Sequence, residues 1–375
     1  MNVSEALRTS GKPVRKIRSP LKRRSRSREF NSNLIAALDL GTNNCRLLIA
    51  RPEPGGFKVV DGFSKVVRLG EGVSNSGKLS DMAMGRTLEA LQICAERIMR
   101  RGVNHGRYVA TEACRVAENG EQFLLKVEKE VGIRLEKIST REEAELTLVG
   151  CIPLLDPKFP YALTFDVGGG STEVSWVRLH SKTGPEIIDW VSLPYGVITM
   201  TERYGGPEIS VTNYELLVDE IIELLRPFDK KHMISNAIEQ GDVQMLGTAG
   251  TVTTISGIQM GLKRYNRSLV DGSWLSFEAV YDVCNMLVNS SFAERASYSC
   301  VGKNRAELVV AGCGILQGIC KTWSAGRLRV ADRGVREGIL FQLSNLILEL
   351  RSKPKKSNGL NFRGRIKPKS LKLRI

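Results

Sequence analysis

The stretch FDVGGGSTEV, residues 165–174, decides the fold, because a strand-like run breaks into three consecutive glycines and then resumes. Glycine is costly inside a strand, so this pattern predicts a strand, a turn and a returning strand. The stretch LDLGTNNCRLL, residues 38–48, has the same form. Each turn opens on an aspartate, Asp39 or Asp166, and the two aspartates lie 127 residues apart. The sequence therefore predicts a duplicated unit.

Both halves of this duplication predict the same order of elements. Apolar runs predict three successive strands in the first half, at 34–38, 46–50 and 57–63, and three more follow from residue 161. Helical periodicity comes next in each half, and at 80–102 it ends on Gly102, a residue suited to a helix terminus. The run VQMLGTAGTVTT, residues 243–254, predicts a further strand that contains a turn.

This alternation of strands and helices predicts an α/β protein with mixed sheets flanked by helices. We place domain I at 31–156 plus 331–350 and domain II at 157–330, with a cleft between them. Tails at 1–30 and 351–375 complete the chain, and we expect both to be disordered.

The net charge of +15 is concentrated in these two tails. Residues 1–30 carry a net charge of +8 and residues 351–375 carry +10, whereas residues 31–350 carry −3. The tails are either solvated ends or contacts for a polyanion such as RNA, a ribosome or polyphosphate. The first tail also has the Arg- and Ser-rich composition of a transit peptide, although targeting does not explain the second.

Cysteine and histidine are too scattered to predict a zinc site. The eight cysteines form no CxxC pair, and there are only three histidines. No secretory segment and no bilayer-spanning apolar run is evident, so we expect a reduced, cytoplasmic protein with no membrane partner.

Three turns rich in Gly, Thr and Ser predict phosphate binding. The first, second and third glycine-rich turns are residues 39–44, 166–172 and 247–251. Glycines let backbone N–H groups approach a phosphate, and the hydroxyl and amide side chains add donors. A tight hairpin is the alternative for any one turn. The predicted phosphate-binding residues here are Gly41, Thr42, Asn43, Gly168, Gly169, Gly170, Ser171, Thr172, Gly247, Thr248 and Gly250.

The turns fit neither common nucleotide fingerprint. The chain has no G-x-x-x-x-G-K-[ST] loop. The dinucleotide spacing G-x-G-x-x-G is also missing from the second turn, which a strand follows where that fingerprint needs a helix.

Several stretches together resemble the exopolyphosphatase / guanosine pentaphosphate phosphohydrolase (Ppx/GppA) family. The resemblance covers about 34–345 and rests on ALDLGTNNCRLLIA, ATEACRVAENG, ISTREEAEL, FDVGGGSTEVSWV, LPYGVITMTERYG, GTAGTVTT and DRGVREGIL. It implies two ribonuclease H-like domains of the actin, Hsp70 and sugar kinase superfamily, in a short form without the family's helical C-terminal domain. It also implies a homodimer.

The resemblance further implies attack of water on a terminal phosphoryl group, with Glu143 and Glu173 as catalytic residues and Arg115 as a phosphate clamp. Asp39 and Asp166 suit a divalent cation, Mg²⁺ or Mn²⁺, because they stand at strand ends beside the turns. Many members have serine where this chain has Asn44, which removes one hydroxyl donor.

Simpler interpretations exist for some of these residues. Thr140-x-x-Glu143 and Ser139-x-x-Glu142 both have the spacing of a capping box, so either glutamate could only cap a helix. Arg333 and Arg336 are expected to support the last helix and are not placed in the site.

The function expected first is release of orthophosphate from inorganic polyphosphate, and the second candidate is hydrolysis of guanosine pentaphosphate to the tetraphosphate. A polyanion- or nucleotide-binding regulator with little catalysis is a further alternative, supported by the basic tails. A kinase of the sugar kinase branch is weaker, because REEAEL, residues 141–146, favours a water-positioning glutamate.

Overall fold

The computed structural model describes residues 33–181 and 184–352. The predicted N-terminal tail lies outside these residues, as does the C-terminal tail beyond residue 352. No helix in the described part combines the length and apolar character needed to cross a bilayer.

The first sheet has a meander at one edge and parallel strands at the other. Within the described residues its strands, in chain order, are β1 (Ile35–Leu40), β2 (Asn44–Glu53), β3 (Gly56–Val66), β4 (His105–Ala110) and β5 (Glu136–Lys137). The spatial order is β3-β2-β1-β4-β5. β1 pairs antiparallel with β2 and parallel with β4, so the chain returns along a helical crossover between β3 and β4.

The second sheet repeats this arrangement. Its strands in the described chain are β6 (Tyr161–Val167), β7 (Thr172–Arg178), β8 (Glu186–Leu193), β9 (Val243–Thr248), β10 (Trp274–Ser276) and β11 (Arg327–Ala331). The spatial order is β8-β7-β6-β9-β11-β10, in which β6 pairs antiparallel with β7 and parallel with β9. The duplicated α/β fold with two mixed sheets is therefore confirmed, and both predicted hairpins form.

Helices cover the faces of both sheets. Those of the first half are α1 (Val73–Ser76), α2 (Asp81–Arg101), α3 (Glu112–Val116), α4 (Gly120–Val131) and α5 (Thr140–Cys151). Those that follow are α6 (Val197–Arg203), α7 (Val211–His232), α8 (Ile234–Glu239), α9 (Ala249–Gln259), α10 (Arg267–Val270), α11 (Phe277–Val288), α12 (Phe292–Ser297), α13 (Lys303–Ala306), α14 (Val309–Thr322) and α15 (Val335–Ser352).

The last helix, α15, packs on the first sheet and on α5. Glycine makes this crossing close: a Cβ at Gly338 would lie 2.0 Å from the Leu146 carbonyl oxygen, and one at Gly150 would lie 2.4 Å from that of Gly334. Side chains at these positions would push the two backbones apart. The glycines thus fix the position of α5, the helix that carries Glu143.

The prediction of a strand through residue 254 was wrong. β9 ends at Thr248, and α9 begins at Ala249. The Thr- and Val-rich run has β-branched residues typical of a strand, yet α9 is buried almost all round, so it lacks the one-sided periodicity of a surface helix.

Candidate active site

A cavity of about 520 Å³ lies where the two hairpins and α9 meet. Most residues predicted from the sequence line it, from both halves of the chain. They are Asp39, Gly41, Thr42, Asn43, Glu143, Asp166, Gly168, Gly169, Gly170, Ser171, Glu173, Thr248 and Gly250.

The first and second glycine-rich turns have the same internal hydrogen bond and touch each other. Gly41 N–H donates to the Asn44 carbonyl, and Gly168 N–H donates to the Ser171 carbonyl, both at 2.9 Å. A Cβ at Gly170 would lie 2.9 Å from the Thr42 hydroxyl oxygen. The second turn therefore needs glycine to approach the first one this closely.

Glu143 reaches the cavity from the first turns of α5. Ser139 is the N-cap, and its hydroxyl accepts from Glu142 N–H at 3.2 Å. The carboxylates do not complete a capping box: that of Glu142 pairs with Arg107, and that of Glu143 accepts from Arg115 Nη1 at 2.7 Å. Burial and the charge of Glu173 raise the pKa of Glu143 well above its usual range, although Arg115 opposes this.

Glu173 lies on β7 directly opposite Asp166 on β6. Its Oε1 accepts from the hydroxyls of Ser171 at 2.6 Å and Ser192 at 3.1 Å. Burial and the charge of Asp166 raise its pKa to about 7, despite these two donors. Glu143 is thus partly buried and Glu173 is buried, and burial raises the pKa of both carboxyls.

Asp39 and Asp166 occupy equivalent positions at the ends of β1 and β6. Burial raises the pKa of both, that of Asp166 to about 6. Within the described residues neither carboxylate has a hydrogen bond or an ion pair. No cluster of three or more His, Cys, Asp or Glu residues in that part of the chain could hold a metal. Two half-buried carboxylates that line one cavity fit Mg²⁺, which commonly takes one or two carboxylates together with water and phosphate oxygens.

Three of the predicted site residues do not line the cavity. Arg115 bonds to Glu112, Glu143 and the Ile138 carbonyl, so it lies behind the carboxylates. The Thr172 hydroxyl donates to the Tyr195 carbonyl at 2.7 Å. Gly247 faces the Phe165 ring, where a Cβ would lie 2.6 Å from Cζ.

Arginines that sequence reasoning did not place in the site also line the cavity. They are Arg46, Arg267, Arg305, Arg333 and Arg336. The expectation that Arg333 and Arg336 stay outside it was wrong, because the segment between β11 and α15 passes along the cavity wall. The sequence predicts that Arg46 points to the opposite face of β2 from its neighbours Cys45 and Leu47, but the spacing does not show which of the two faces points to the cavity.

Arg46, Arg305 and Arg336 leave much of their charge uncompensated. Within the described chain Arg46 has no ion pair, and Arg305 donates to the Thr254 hydroxyl at 2.8 Å. Arg336 lies 4.0 Å from Glu337 at its nearest approach. Burial lowers the pKa of Arg305 and of Arg336, and the charge of Arg46 lowers both further. A bound anion would relieve this repulsion.

The start of α9 adds backbone donors to the same wall. The cavity is lined here by residues 248–251 and by Arg305, which lies beside Gly250. Ala249 has a positive φ of 84°. The Thr248 hydroxyl donates to the Arg333 carbonyl, which fixes the entry to the helix. Free N–H groups at a helix N-terminus favour negative charge. The third turn is therefore the entry to a helix.

Solved structures share this architecture. The structure of an Aquifex aeolicus member of the Ppx/GppA protein family is 25% identical and covers 84% of this chain and 98% of that one, with a TM-score of 0.67. An exopolyphosphatase-like protein is 29% identical with the same coverages and a TM-score of 0.74. An exopolyphosphatase from Cytophaga hutchinsonii, at 24% identity, covers 83% and 98% with a TM-score of 0.74 and supports the fold.

The sequence profile of the Ppx/GppA phosphatase family matches residues 48–346, which is well over half of the chain. This match begins within β2 and ends within α15, so it covers the whole second sheet and the cavity lining from Leu48 onward, whereas β1 and the first glycine-rich turn precede it. The chain belongs to the Ppx/GppA phosphatase family.

Proposed function

We propose that this phosphatase releases orthophosphate from the end of inorganic polyphosphate by metal-dependent attack of water. The observation that carries the proposal is that Glu143 and Glu173 line one cavity together with two glycine-rich turns and several arginines. Phosphoanhydride hydrolysis needs a positioned water, a base and positive charge around the phosphoryl oxygens, and this cavity offers groups for each.

The carboxylate pair supplies the base. Burial raises the pKa of both glutamates, that of Glu173 to about 7, which makes the ionised form of either carboxylate a better acceptor for a proton from the attacking water. Arg115 holds one oxygen of Glu143, and two serines hold one oxygen of Glu173. These contacts orient both side chains before the substrate binds.

Asp39 and Asp166 would hold the divalent cation, Mg²⁺ or Mn²⁺. Such a cation supplies positive charge to the phosphoryl oxygens during the transfer. The amides of the first and second glycine-rich turns and the start of α9 would donate to other phosphate oxygens.

The cavity lining supports polyphosphate over guanosine pentaphosphate. Several guanidinium groups along one cavity suit a chain of repeated negative charge. The lining also includes Phe63 and Tyr265, but Phe63 lies under Arg97, whose Cζ is 5.3 Å from the ring centroid. Tyr265 donates its hydroxyl to Asp332 at 2.7 Å. The lining thus offers two aromatic rings, one of which has a guanidinium over its face, and this supports recognition of charge over stacking of a guanine base.

The test is phosphate release by the wild type and by Glu143→Gln. We expect Mg²⁺-dependent release that chelation abolishes, and turnover by the variant that is lower by roughly 10²–10⁴, with polyphosphate still bound. Glu145→Gln is the matched control, since Glu145 is on the same helix but pairs with Arg141 at the surface. Wild-type turnover by Glu143→Gln would overturn the assignment of the pair.

Substrate choice is tested by comparing polyphosphates of several lengths with guanosine pentaphosphate and ATP. Faster release from guanosine pentaphosphate than from any polyphosphate would replace the proposed substrate with the second candidate. Absence of release from all of them, by a folded protein supplied with Mg²⁺ or Mn²⁺, would favour a binding protein with little catalysis.

A further inference from the structure

A second, small space of about 10 Å³ adjoins the carboxylate pair. The residues that line it are Glu143, Ala144, Thr147, Thr164, Phe165, Asp166, Glu173 and Ser175. Three of these, Thr147, Thr164 and Ser175, contribute hydroxyl groups that have no part in the chemistry described so far. We call them the three rear hydroxyls.

Backbone geometry places the rear hydroxyls directly behind the acids. Thr164 and Ser175 face each other across β6 and β7, and the next pair on the same face of the sheet is Asp166 opposite Glu173. On α5, Thr147 follows Glu143 by four residues and so lies on the same helix face. The three acids therefore lie next to the three rear hydroxyls, on the same face of the sheet and of α5.

The rear hydroxyls are buried and lack protein partners. Their residues are between 4% and 8% exposed. Within the described residues none of the three hydroxyls makes a hydrogen bond, so each can bind a water in the adjoining space. The space they surround has about the volume of one water molecule, and its walls are polar enough to give that water two to four hydrogen bonds.

The carboxylates offer the complementary acceptors. Only Oε2 of Glu143 accepts from Arg115, and only Oε1 of Glu173 accepts from the two serines. Each acid thus has one oxygen without a partner among the described residues. A water that accepts from a rear hydroxyl can donate to these oxygens.

We propose that Thr147, Thr164 and Ser175 hold one internal water that hydrogen-bonds the Glu143 and Glu173 carboxylates and fixes their orientation for catalysis. The three are positioning residues, since they act through the acids and do not touch the substrate. The kinetic consequence rests on the proposed function, whereas the presence of the water does not.

Near-isosteric variants test the positioning role. Thr147→Val, Thr164→Val and Ser175→Ala remove one hydroxyl each, and we expect kcat to fall about tenfold with KM unchanged, as loss of a hydrogen bond to a charged group would do. Thr147→Ser and Thr164→Ser keep the hydroxyl and should restore most of kcat. Thr87→Val is the matched control, because Thr87 is fully buried but bonds only to Ala83 within α2.

The proposal would be overturned by equal kcat for the valine and wild-type proteins, or by equal losses in the valine and serine variants. A rise in KM without a fall in kcat would also contradict it, because it would assign the hydroxyls to substrate binding.

High-resolution crystal structures give a readout that needs no substrate. The wild type should show a water within hydrogen-bonding distance of the Thr147 hydroxyl, and Thr147→Val should have lost it or moved a carboxylate. A wild-type structure with no water there refutes the proposal whatever the enzyme hydrolyses. Conversely, a wild type with the water but without phosphate release would refute the proposed function alone.

Discussion

Replacing Glu173 with glutamine should stabilise the protein at neutral and alkaline pH while reducing its activity. The side chain is 5% exposed, and burial and Asp166 raise its pKa from 4.5 to about 7. Between these two values the folded protein binds more protons than the unfolded chain. The free energy of unfolding of the wild type therefore falls as pH rises from about 4.5 through 7.

The expected size follows from the same two values. A rise in pKa from 4.5 to about 7 lowers the free energy of unfolding of the wild type by about 3 kcal/mol at pH 8. This loss vanishes below about pH 4.5, where Glu173 is protonated in both the folded and the unfolded chain. Glutamine does not ionise and can still accept from Ser171 and Ser192 through its amide oxygen. Its neutral side chain also removes a charge that raises the pKa of Glu143. Loss of this repulsion further stabilises the variant relative to the wild type at neutral pH.

Urea unfolding of both proteins from pH 4.5 to 8 measures this effect. The quantity of interest is the change with pH in the stability difference between variant and wild type, because packing differences cancel in it. Glu89→Gln is the control: its carboxylate is 73% exposed and pairs with Lys65, so we expect a pH effect of only a few tenths of a kcal/mol. Parallel pH profiles for the wild type and Glu173→Gln would refute the reasoning.

Two further substitutions test how the site is built. Gly338→Ala would place a Cβ 2.0 Å from the Leu146 carbonyl oxygen, so we expect the free energy of unfolding to fall by about 1–3 kcal/mol or more and kcat to fall with it. Gly85→Ala is the control: its Cβ would meet no atom within 4 Å, so the free energy of unfolding should rise by about 0.5–1 kcal/mol. Thermal or urea unfolding together with a phosphate-release assay measures both effects. Arg305→Met should raise KM for polyphosphate about tenfold without loss of stability, because it removes a buried, repelled cation. Arg51→Met, at an exposed position on β2, changes the net charge equally and should leave KM unchanged, so equal effects of the two would contradict an anion site at Arg305.

The acids of the site could be predicted from the sequence because local rules place them. Asp39 and Asp166 stand where an apolar strand meets a glycine-rich turn, and strand pairing then brings Glu173 opposite Asp166. Ser139 begins α5, so Glu143 was certain to lie near a helix N-terminus. The catalytic role of Glu143 stays a prediction, which the phosphate-release assay of Glu143→Gln tests.

What the sequence by itself determined is the pair of matching hairpins and the family resemblance, since both depend on residue order over short stretches. Only the tertiary structure decided that Arg46, Arg305 and Arg336 meet at one cavity, because they come from three distant segments joined by packing. It also sent Arg115 to Glu143 and set the rear hydroxyls behind the acids. Periodicity reports which residues share a face, but the partner of that face depends on how helices and sheets pack together.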